Sequence, residues 1–370
     1  MKKYPFYLRT TVILLGLTLF VYALFNLADV LIPLAFALML AILLNPLTNF
    51  FETKFRFPPV AAIVVAIFLA IIFIAGIGYL LYMEIGSFSD QLPAFKKKLA
   101  EMSVKAQHAI SEHLGITFKK QQQYIDQGEA ALKPALASTA GSLLGSISTI
   151  VLLPVYSFLF LYYKKLLLNF LFEVFAEENQ EDVSKILTKT KGAISSYMFG
   201  LLLEALIVAT LNSIALLILG VDYAILLGVL GALLNVLPFI GGILAVILPI
   251  LIATVTKDGI HTQIEIIIAY IVIQFIDNHF LVPYIVSSKV KINALISLVI
   301  VFLGGALWGI AGMFLSIPFI GVLKIIFDRV PDLKPWGKLL GTEVPTQHKG
   351  QLRKIGRKIG LPVISRLQKK

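Results

Sequence analysis

The sequence predicts an all-α, polytopic membrane protein of about eight hydrophobic segments. Of its 370 residues, 58% are hydrophobic and only 14% are charged, whereas a soluble domain carries about 25% charged residues. Uncharged runs as long as a membrane-spanning helix recur along the whole chain. The two longest of these runs lie near the C-terminus, and glycine, proline or asparagine interrupts each of them.

The predicted spans follow from these uncharged runs. They are 10–28, 30–51, 57–83, about 142–163, 193–220 (interrupted by Glu204), 223–256, about 264–286 (interrupted by Glu265 and Asp277) and 292–323. Lysine and arginine are concentrated near the N-terminus, after the second and fourth runs, and in the tail, where 328–370 holds eleven of them against three acids. Basic loops stay on the cytoplasmic side of a membrane. Both termini are therefore expected in the cytoplasm.

The two longest runs, Tyr223–Thr256 and Ile292–Leu323, extend for 34 and 32 residues without a charge. A straight helix of 34 residues would be about 50 Å long, but the hydrocarbon core of a bilayer is about 30 Å thick. Each run is therefore a strongly tilted span or a re-entrant helical hairpin, and the placement of lysines favours the hairpin. Two hairpins of this kind would form an inverted repeat, as in many carriers.

Residues that favour a reversal of the chain lie near the middle of both runs. They are Asn235, Pro238, Gly241 and Gly242 in the first run, and Gly304, Gly305, Gly309 and Gly312 in the second. Such glycines expose backbone groups as ligands. The alternative is close helix packing, for which the spacing of Gly305 and Gly309 is suitable.

Glu204 lies deep within the fifth run, on a face that also carries Tyr197 and Asn212. A carboxylate inside a membrane is costly, and it typically faces a cavity or a partner group. Glu204 is therefore predicted to bind substrate or an ion. The alternative is a hydrogen-bonded packing residue.

A second polar cluster, Gln274, Asp277 and Asn278, lies in the seventh run and is followed by Pro283. Gln274 precedes Asp277 by three positions, so both can share a helix face. Pro283 is expected to free the carbonyl of His279. Together these groups could coordinate Na⁺, relay a proton or hold a hydroxylated solute. The alternative is that Asp277 and Asn278 cap the end of the helix.

No sequence motif indicates a cofactor or an enzyme. The glycine clusters lack the Gly-Lys-Ser/Thr of a nucleotide-binding loop, and neither a nucleophile elbow nor a His-Glu-x-x-His motif occurs. The chain has no cysteine, which excludes thiolate metal sites. We therefore expect no cofactor, no metal site and no catalytic residue.

Two segments outside the spans carry apolar stripes. On a helix expected to begin near Pro93, the stripe consists of Leu92, Phe95, Leu99, Met102, Ala106, Ala109 and His113. It packs either on its own protomer or on another subunit of a homo-oligomer. In the tail, Leu352, Ile355, Ile359, Val363 and Leu367 predict a basic amphipathic helix. This tail is expected to contact anionic membrane lipid, not nucleic acid.

Three motifs resemble the AI-2E (autoinducer-2 exporter) transporter family. They are Gly220–Gly228 with Asn235–Gly242, then Gln274–Pro283, and then Gly304–Pro318. The resemblance covers roughly residues 10–330 and implies a bacterial, multi-pass protein of the inner membrane. The family is named for export of a quorum-sensing signal, and some members are assigned cation/proton antiport. This chain departs from the family pattern at Leu201, where a glutamine is common.

These observations predict a secondary transporter that exports a small hydrophilic metabolite such as autoinducer-2, coupled to a proton or cation gradient. The alternatives are a Na⁺/H⁺ antiporter and a non-transporting membrane scaffold or envelope-assembly protein. The expected substrate or ion site consists of Glu204, Asn235, Pro238, Gly241, Gly242, Gln274, Asp277, Asn278, Pro283, Gly304 and Gly305. The expected parts are a three-span scaffold (1–83), an extracytoplasmic helical segment (84–140), a fourth span with a cytoplasmic segment (141–192), a transport core with broken helices (193–327) and a basic cytoplasmic tail (328–370).

Overall fold

The computed structural model describes residues 5–114, 117–123, 126–127, 130, 147–175, 180–237, 241–257, 259–286 and 292–342. Within these ranges the chain is helical and contains no strand. Five helices are long and apolar enough to cross a membrane, and a bent pair of helices raises this number to six. The predicted all-α, polytopic membrane fold is therefore confirmed.

The N-terminal helices pack around α2. They are α1 (Phe6–Asn26), α2 (Ala28–Lys54), α3 (Pro59–Leu114), α4 (Ile147–Tyr162) and α5 (Lys164–Val174), with a bend of 62° between α4 and α5. Two hydrogen bonds connect α4 and α5 to α2. Ser157 Oγ donates to the Ala37 carbonyl at 3.2 Å, and Lys164 Nζ donates to Asn45 Oδ1 at 2.7 Å.

Helix α3 differs from the sequence prediction because it begins at Pro59 and continues through Pro93. A proline inside a helix removes one backbone hydrogen bond and usually kinks the helix, and here the helix does not end. The expectation of a helix that starts near Pro93 was wrong. The side chains of the apolar stripe 92–113 lie outside the described residues, so the subunit contact stays a prediction.

The first long uncharged run folds into a helical hairpin. After α6 (Gln180–Ile218), the hairpin consists of α7 (Ala224–Asn235) and α8 (Gly241–Thr256). Gly241 lies against the carbonyl of Leu234, and further from the break Gly231 lies beside Ala245. Contacts that pair residues on either side of a break in this order define two antiparallel arms.

The second long run, helix α10 (Ala294–Arg329), is also a hairpin, because two helical arms meet at a kink within it. The backbone leaves helical geometry at Trp308 and at Gly309, where φ is +58°, a value that glycine adopts readily. Beyond this bend the arms touch, because Ser316 Oγ donates to the Ile300 carbonyl at 2.9 Å. At the bend, Trp308 Nε1 donates to the Leu24 carbonyl of α1 at 2.9 Å.

The two ends of α10 are held on the same side of the hairpin. Asn293 Nδ2 donates to the Leu339 carbonyl at 2.7 Å, at the end of α11 (Lys334–Leu340). A short 3₁₀ turn connects the C-terminal end of α10 to α11. Asn293 therefore links the beginning of the hairpin to the segment that follows its end.

Helix α9 (His261–Ile276) follows the first hairpin in the chain and continues as a π-helix over Asp277–Val286. Pro238, residues 287–291 and the tail 343–370 lie outside the described residues. The amphipathic helix of the tail and the side of the membrane on which Lys289 and Lys291 lie therefore remain predictions.

Candidate functional site

The described residues enclose a cavity of about 850 Å³ between α6, the first hairpin, α9 with its π-helix, and α10. Its walls are apolar over most of their area, with a few polar side chains, as is usual in sites for small molecules. The polar and aromatic lining residues are Tyr197, Glu204, Asn235, Tyr270, Gln274, Asp277, Asn278, Ser297 and Thr342.

The polar residues of the cavity converge on Asp277. Asn235 Nδ2 donates to Asp277 Oδ2 at 2.9 Å, and Gln274 Nε2 donates to the same oxygen at 3.2 Å. Glu204 lies near Asp277, and both residues line the cavity. Asp277 is 2% exposed and Glu204 is 6% exposed. Three separate elements thus bring two carboxyl groups together in a buried place.

This pair of carboxyl groups has no basic neighbour in the wall of the cavity. Among the described residues that line it, none is a lysine, arginine or histidine. A buried ionised carboxylate is costly unless a cation, a proton or hydrogen bonds compensate its charge. Two carboxyl groups this close share a proton more readily than they ionise together. The site is therefore chemically suited to hold a proton or a metal cation.

The π-helix places Asp277 at the change from one helical form to the other. Pi-helical turns are rare and occur frequently at functional sites. The side chain of Asp277 accepts hydrogen bonds from Asn235, in the first hairpin, and from Gln274, in α9. Asn278, the next residue, is exposed and lines the cavity. Asp277 also stands at the C-cap position of α9, so the alternative that it caps the helix end stays open.

The structure brings six of the predicted site residues to the cavity wall: Glu204, Asn235, Gly242, Gln274, Asp277 and Asn278. Gly241 lies within the contact between the arms of the first hairpin. Pro283 is exposed on the π-helix, and Pro238 lies outside the described residues. Whether these residues bind substrate stays a prediction.

The glycine pair of the second hairpin does not line the cavity. Gly304 lies against Ser316 and the Gly312 backbone, and Gly305 lies against Met313, with no space for a larger side chain. These contacts join the two arms of α10. They correspond to the packing alternative that the sequence had left open.

Several lining residues were not predicted as site residues. Tyr270 lies one turn before Gln274 on the same face of α9, so its spacing could have indicated it. Pro318 and Gly321 belong to Ile-Pro-Phe-Ile-Gly at 317–321, which repeats Leu-Pro-Phe-Ile-Gly at 237–241. The repeated motif was visible in the sequence, but its location at the cavity was not.

Apolar helices around a buried acidic cavity, with two broken hairpins contributing to the wall, are the architecture of a membrane transport protein. A profile described as "AI-2E family transporter" matches residues 11–332. The chain therefore belongs to the AI-2E transporter family.

Relatives in distant bacteria match over most of their length. The AI-2 transport protein TqsA of Escherichia coli (strain K12) is 27% identical over 309 residues, which cover 82% of this chain and 86% of TqsA. YhhT of the same strain is 25% identical over 332 residues, covering 86% and 90% of the two chains. YrrI of Bacillus subtilis (strain 168) is 23% identical over 305 residues, covering 80% and 85%.

Proposed function

We propose that this protein is a secondary carrier of the bacterial inner membrane, with both termini in the cytoplasm. It exports a small hydrophilic metabolite, such as autoinducer-2, and uses a proton or cation gradient to do so. The observation that carries this proposal is the buried carboxyl pair, Glu204 and Asp277, at a cavity of about 850 Å³. The name of the relative TqsA supports autoinducer-2 as the first solute to test.

In this mechanism the cavity binds the solute, and the carboxyl pair binds the coupling ion. The cavity volume is in the range of small-molecule sites, which are about 300–1,000 Å³. The side chains of Asn278 and Ser297 offer hydrogen bonds to a hydroxylated solute. Glu204 and Asp277 take up and release the coupling ion.

The arrangement of the helices supports alternating access as the mechanism. The hairpins and α9 form one group around the cavity, whereas α2, α3 and α4 pack around a separate apolar core of Ala41, Leu44, Ile63, Ile67 and Leu161. Carriers move one such group against the other around a fixed site. The N-terminal helices act as the scaffold, and the C-terminal group opens the cavity to one side and then to the other.

A second candidate, Na⁺/H⁺ antiport without an organic solute, is favoured by one specific observation. The carboxyl pair has no basic residue beside it among the described lining residues, so it can bind either a proton or Na⁺. The non-transporting scaffold remains the candidate of a different class, and it assigns no task to the carboxyl pair.

Flux through proteoliposomes that contain the purified protein tests these functions. One set of vesicles holds a pH-sensitive dye and receives a pulse of Na⁺, and another is loaded with autoinducer-2 and followed for efflux. Asp277→Asn keeps the shape of the side chain but removes its charge. Glu265→Gln is the matched control, because Glu265 is an exposed carboxylate of α9, the helix that leads into the π-helix of Asp277.

Signal efflux that stops in Asp277→Asn and continues in Glu265→Gln is the result expected for the exporter. A pH change on addition of Na⁺, without efflux, identifies the antiporter. If well-folded protein moves neither autoinducer-2 nor protons, or if Asp277→Asn moves them at the original rate, the proposed carrier mechanism is wrong.

A further inference from the structure

A second and much smaller cavity, of about 10 Å³, lies next to the large one. Four residues line both cavities: Asn235, Tyr270, Gln274 and Asp277. The remaining wall of the small cavity comes from Val208, Asn212, Gly231, Ala245 and Ile273. A space of this volume admits one particle about the size of a water molecule.

Three buried oxygen atoms of this small cavity have no hydrogen-bond partner among the described residues. They are Asn212 Oδ1, Tyr270 Oη and Asp277 Oδ1. Their side chains are deeply buried, since Asn212 and Asp277 are 2% exposed and Tyr270 is 7% exposed. Native proteins leave very few buried polar atoms unpaired. The three residues that carry these atoms all line this one small space, which favours a bound particle there.

Charge decides which particle fits best. A water molecule would provide hydrogen bonds for the three oxygens, but it would leave the charge of the site unchanged. Asp277 brings a negative charge to the small cavity when it is ionised, and no lysine, arginine or histidine is among the described residues that line either cavity. A small cation compensates that charge, and carboxylate, amide and hydroxyl oxygens are the ligands that hard cations prefer.

We infer that the small cavity binds one dehydrated monovalent cation of the size of Na⁺, held by Asn212 Oδ1, Tyr270 Oη and Asp277 Oδ1. The inference rests on the proposed function, because it names a cation that the same carrier binds beside its solute cavity. Asp277 contacts the cation from the wall that it shares with the solute cavity. Cation binding therefore changes the charge that the solute and Glu204 meet.

Gly231 provides a means to fill the small cavity without removing any of its oxygens. A Cβ atom at this position would lie 3.2 Å from Asn212 Nδ2, 3.4 Å from Ala245 Cβ and 3.6 Å from Tyr270 Oη. The methyl group of Gly231→Ala therefore occupies the space of the ion with little displacement of its neighbours. Alanine also favours the helix that contains Gly231.

Two further variants complete the set. Tyr270→Phe removes one of the three oxygens and keeps the ring. Gly76→Ala in α3 is the matched control for the glycine substitution, because a Cβ atom there would meet no atom within 4 Å.

Binding of radioactive Na⁺ to the purified full-length protein in detergent tests the inference, with choline chloride used to keep the ionic strength constant. We expect saturable binding that K⁺ displaces poorly. Gly231→Ala and Tyr270→Phe should each weaken it by at least about tenfold, the loss that removal of a metal's supporting partners typically causes. Gly76→Ala should bind as the original protein does.

No saturable Na⁺ binding, or binding that survives in both Gly231→Ala and Tyr270→Phe, would overturn the inference and leave a buried water as the occupant. This readout is independent of transport. Efflux of solute from proteoliposomes without any Na⁺ binding would refute the cation site and leave the carrier intact. Conversely, Na⁺ binding by a protein that moves no solute would support the site and count against the exporter.

Discussion

The side-chain amide of Asn235 donates a hydrogen bond of 2.9 Å to Asp277 Oδ2 and so connects the break of the first hairpin to the start of the π-helix. The two residues are 42 positions apart in the chain. The bond holds the hairpin beside α9 at the point where both meet the cavity.

Loss of this bond should destabilise the protein. Asn235→Ala leaves Asp277 with one donor fewer, and a buried acceptor without its partner costs about 1–3 kcal/mol. We expect a lower melting temperature of the purified protein in thermal unfolding. Asn49→Ala, at an exposed position of α2, should unfold at the original temperature. Equal melting temperatures for Asn235→Ala and the original protein would show that the bond is not formed.

Glu204→Gln should abolish the response of transport to a pH gradient without lowering the stability of the fold. The glutamine amide can donate to Asp277 in place of the shared proton, so we expect the melting temperature to change little. It cannot take up or release a proton, so solute efflux from proteoliposomes should no longer respond to an imposed pH gradient. Efflux that still follows the gradient in this variant would remove Glu204 from the coupling mechanism.

The hairpin of α10 predicts that its two ends lie on the same side of the membrane. Because the chain contains no cysteine, single cysteines can be introduced without background. Ala294→Cys and Asp332→Cys lie at exposed positions near the two ends. A membrane-impermeant maleimide should label both from the same side of oriented vesicles. Labelling from opposite sides would mean that this run crosses the membrane as a span.

The side chain of Asn293 makes two kinds of hydrogen bond, and two substitutions distinguish their contributions to stability. Its Oδ1 accepts from the Ile296 amide at 2.8 Å, which caps α10, and its Nδ2 donates to the Leu339 carbonyl. Asn293→Asp keeps the cap and loses the donor, whereas Asn293→Ala loses both. The cap alone contributes about 1 kcal/mol. We therefore expect the melting temperature to fall in the order original, aspartate, alanine, and equal values for the two variants would contradict this.

The parts of the fold that local sequence specifies were predictable. Proline, glycine and asparagine in the middle of overlong apolar runs indicated the two hairpins, because a straight helix of that length does not fit a bilayer. The carboxylates Glu204 and Asp277 indicated the polar site, because an ionisable side chain inside a membrane is costly and usually faces a cavity or a partner group. In both cases the signal lies in residues that conflict with an otherwise uniform apolar helix.

The rest depends on contacts between distant segments. Nothing near Asp277 predicts that its helix widens into a π-helix, since Pro283 alone fits an ordinary kink equally well. The sequence around Gly304 and Gly305 does not show whether these glycines face a ligand or the other arm of α10. Helix α3 differs from its local sequence signal. Pro93 predicts a helix boundary, but the helix continues through this residue.

The contact of Trp308 with α1 makes the bend of α10 observable by fluorescence. The chain contains two tryptophans, and the other, Trp336, is 59% exposed. Trp336→Phe would leave a single indole, hydrogen-bonded to the Leu24 carbonyl, whose emission wavelength reports its surroundings. Motion of the hairpin away from α1 would shift that emission, so opening and closing can be followed in real time without an attached dye.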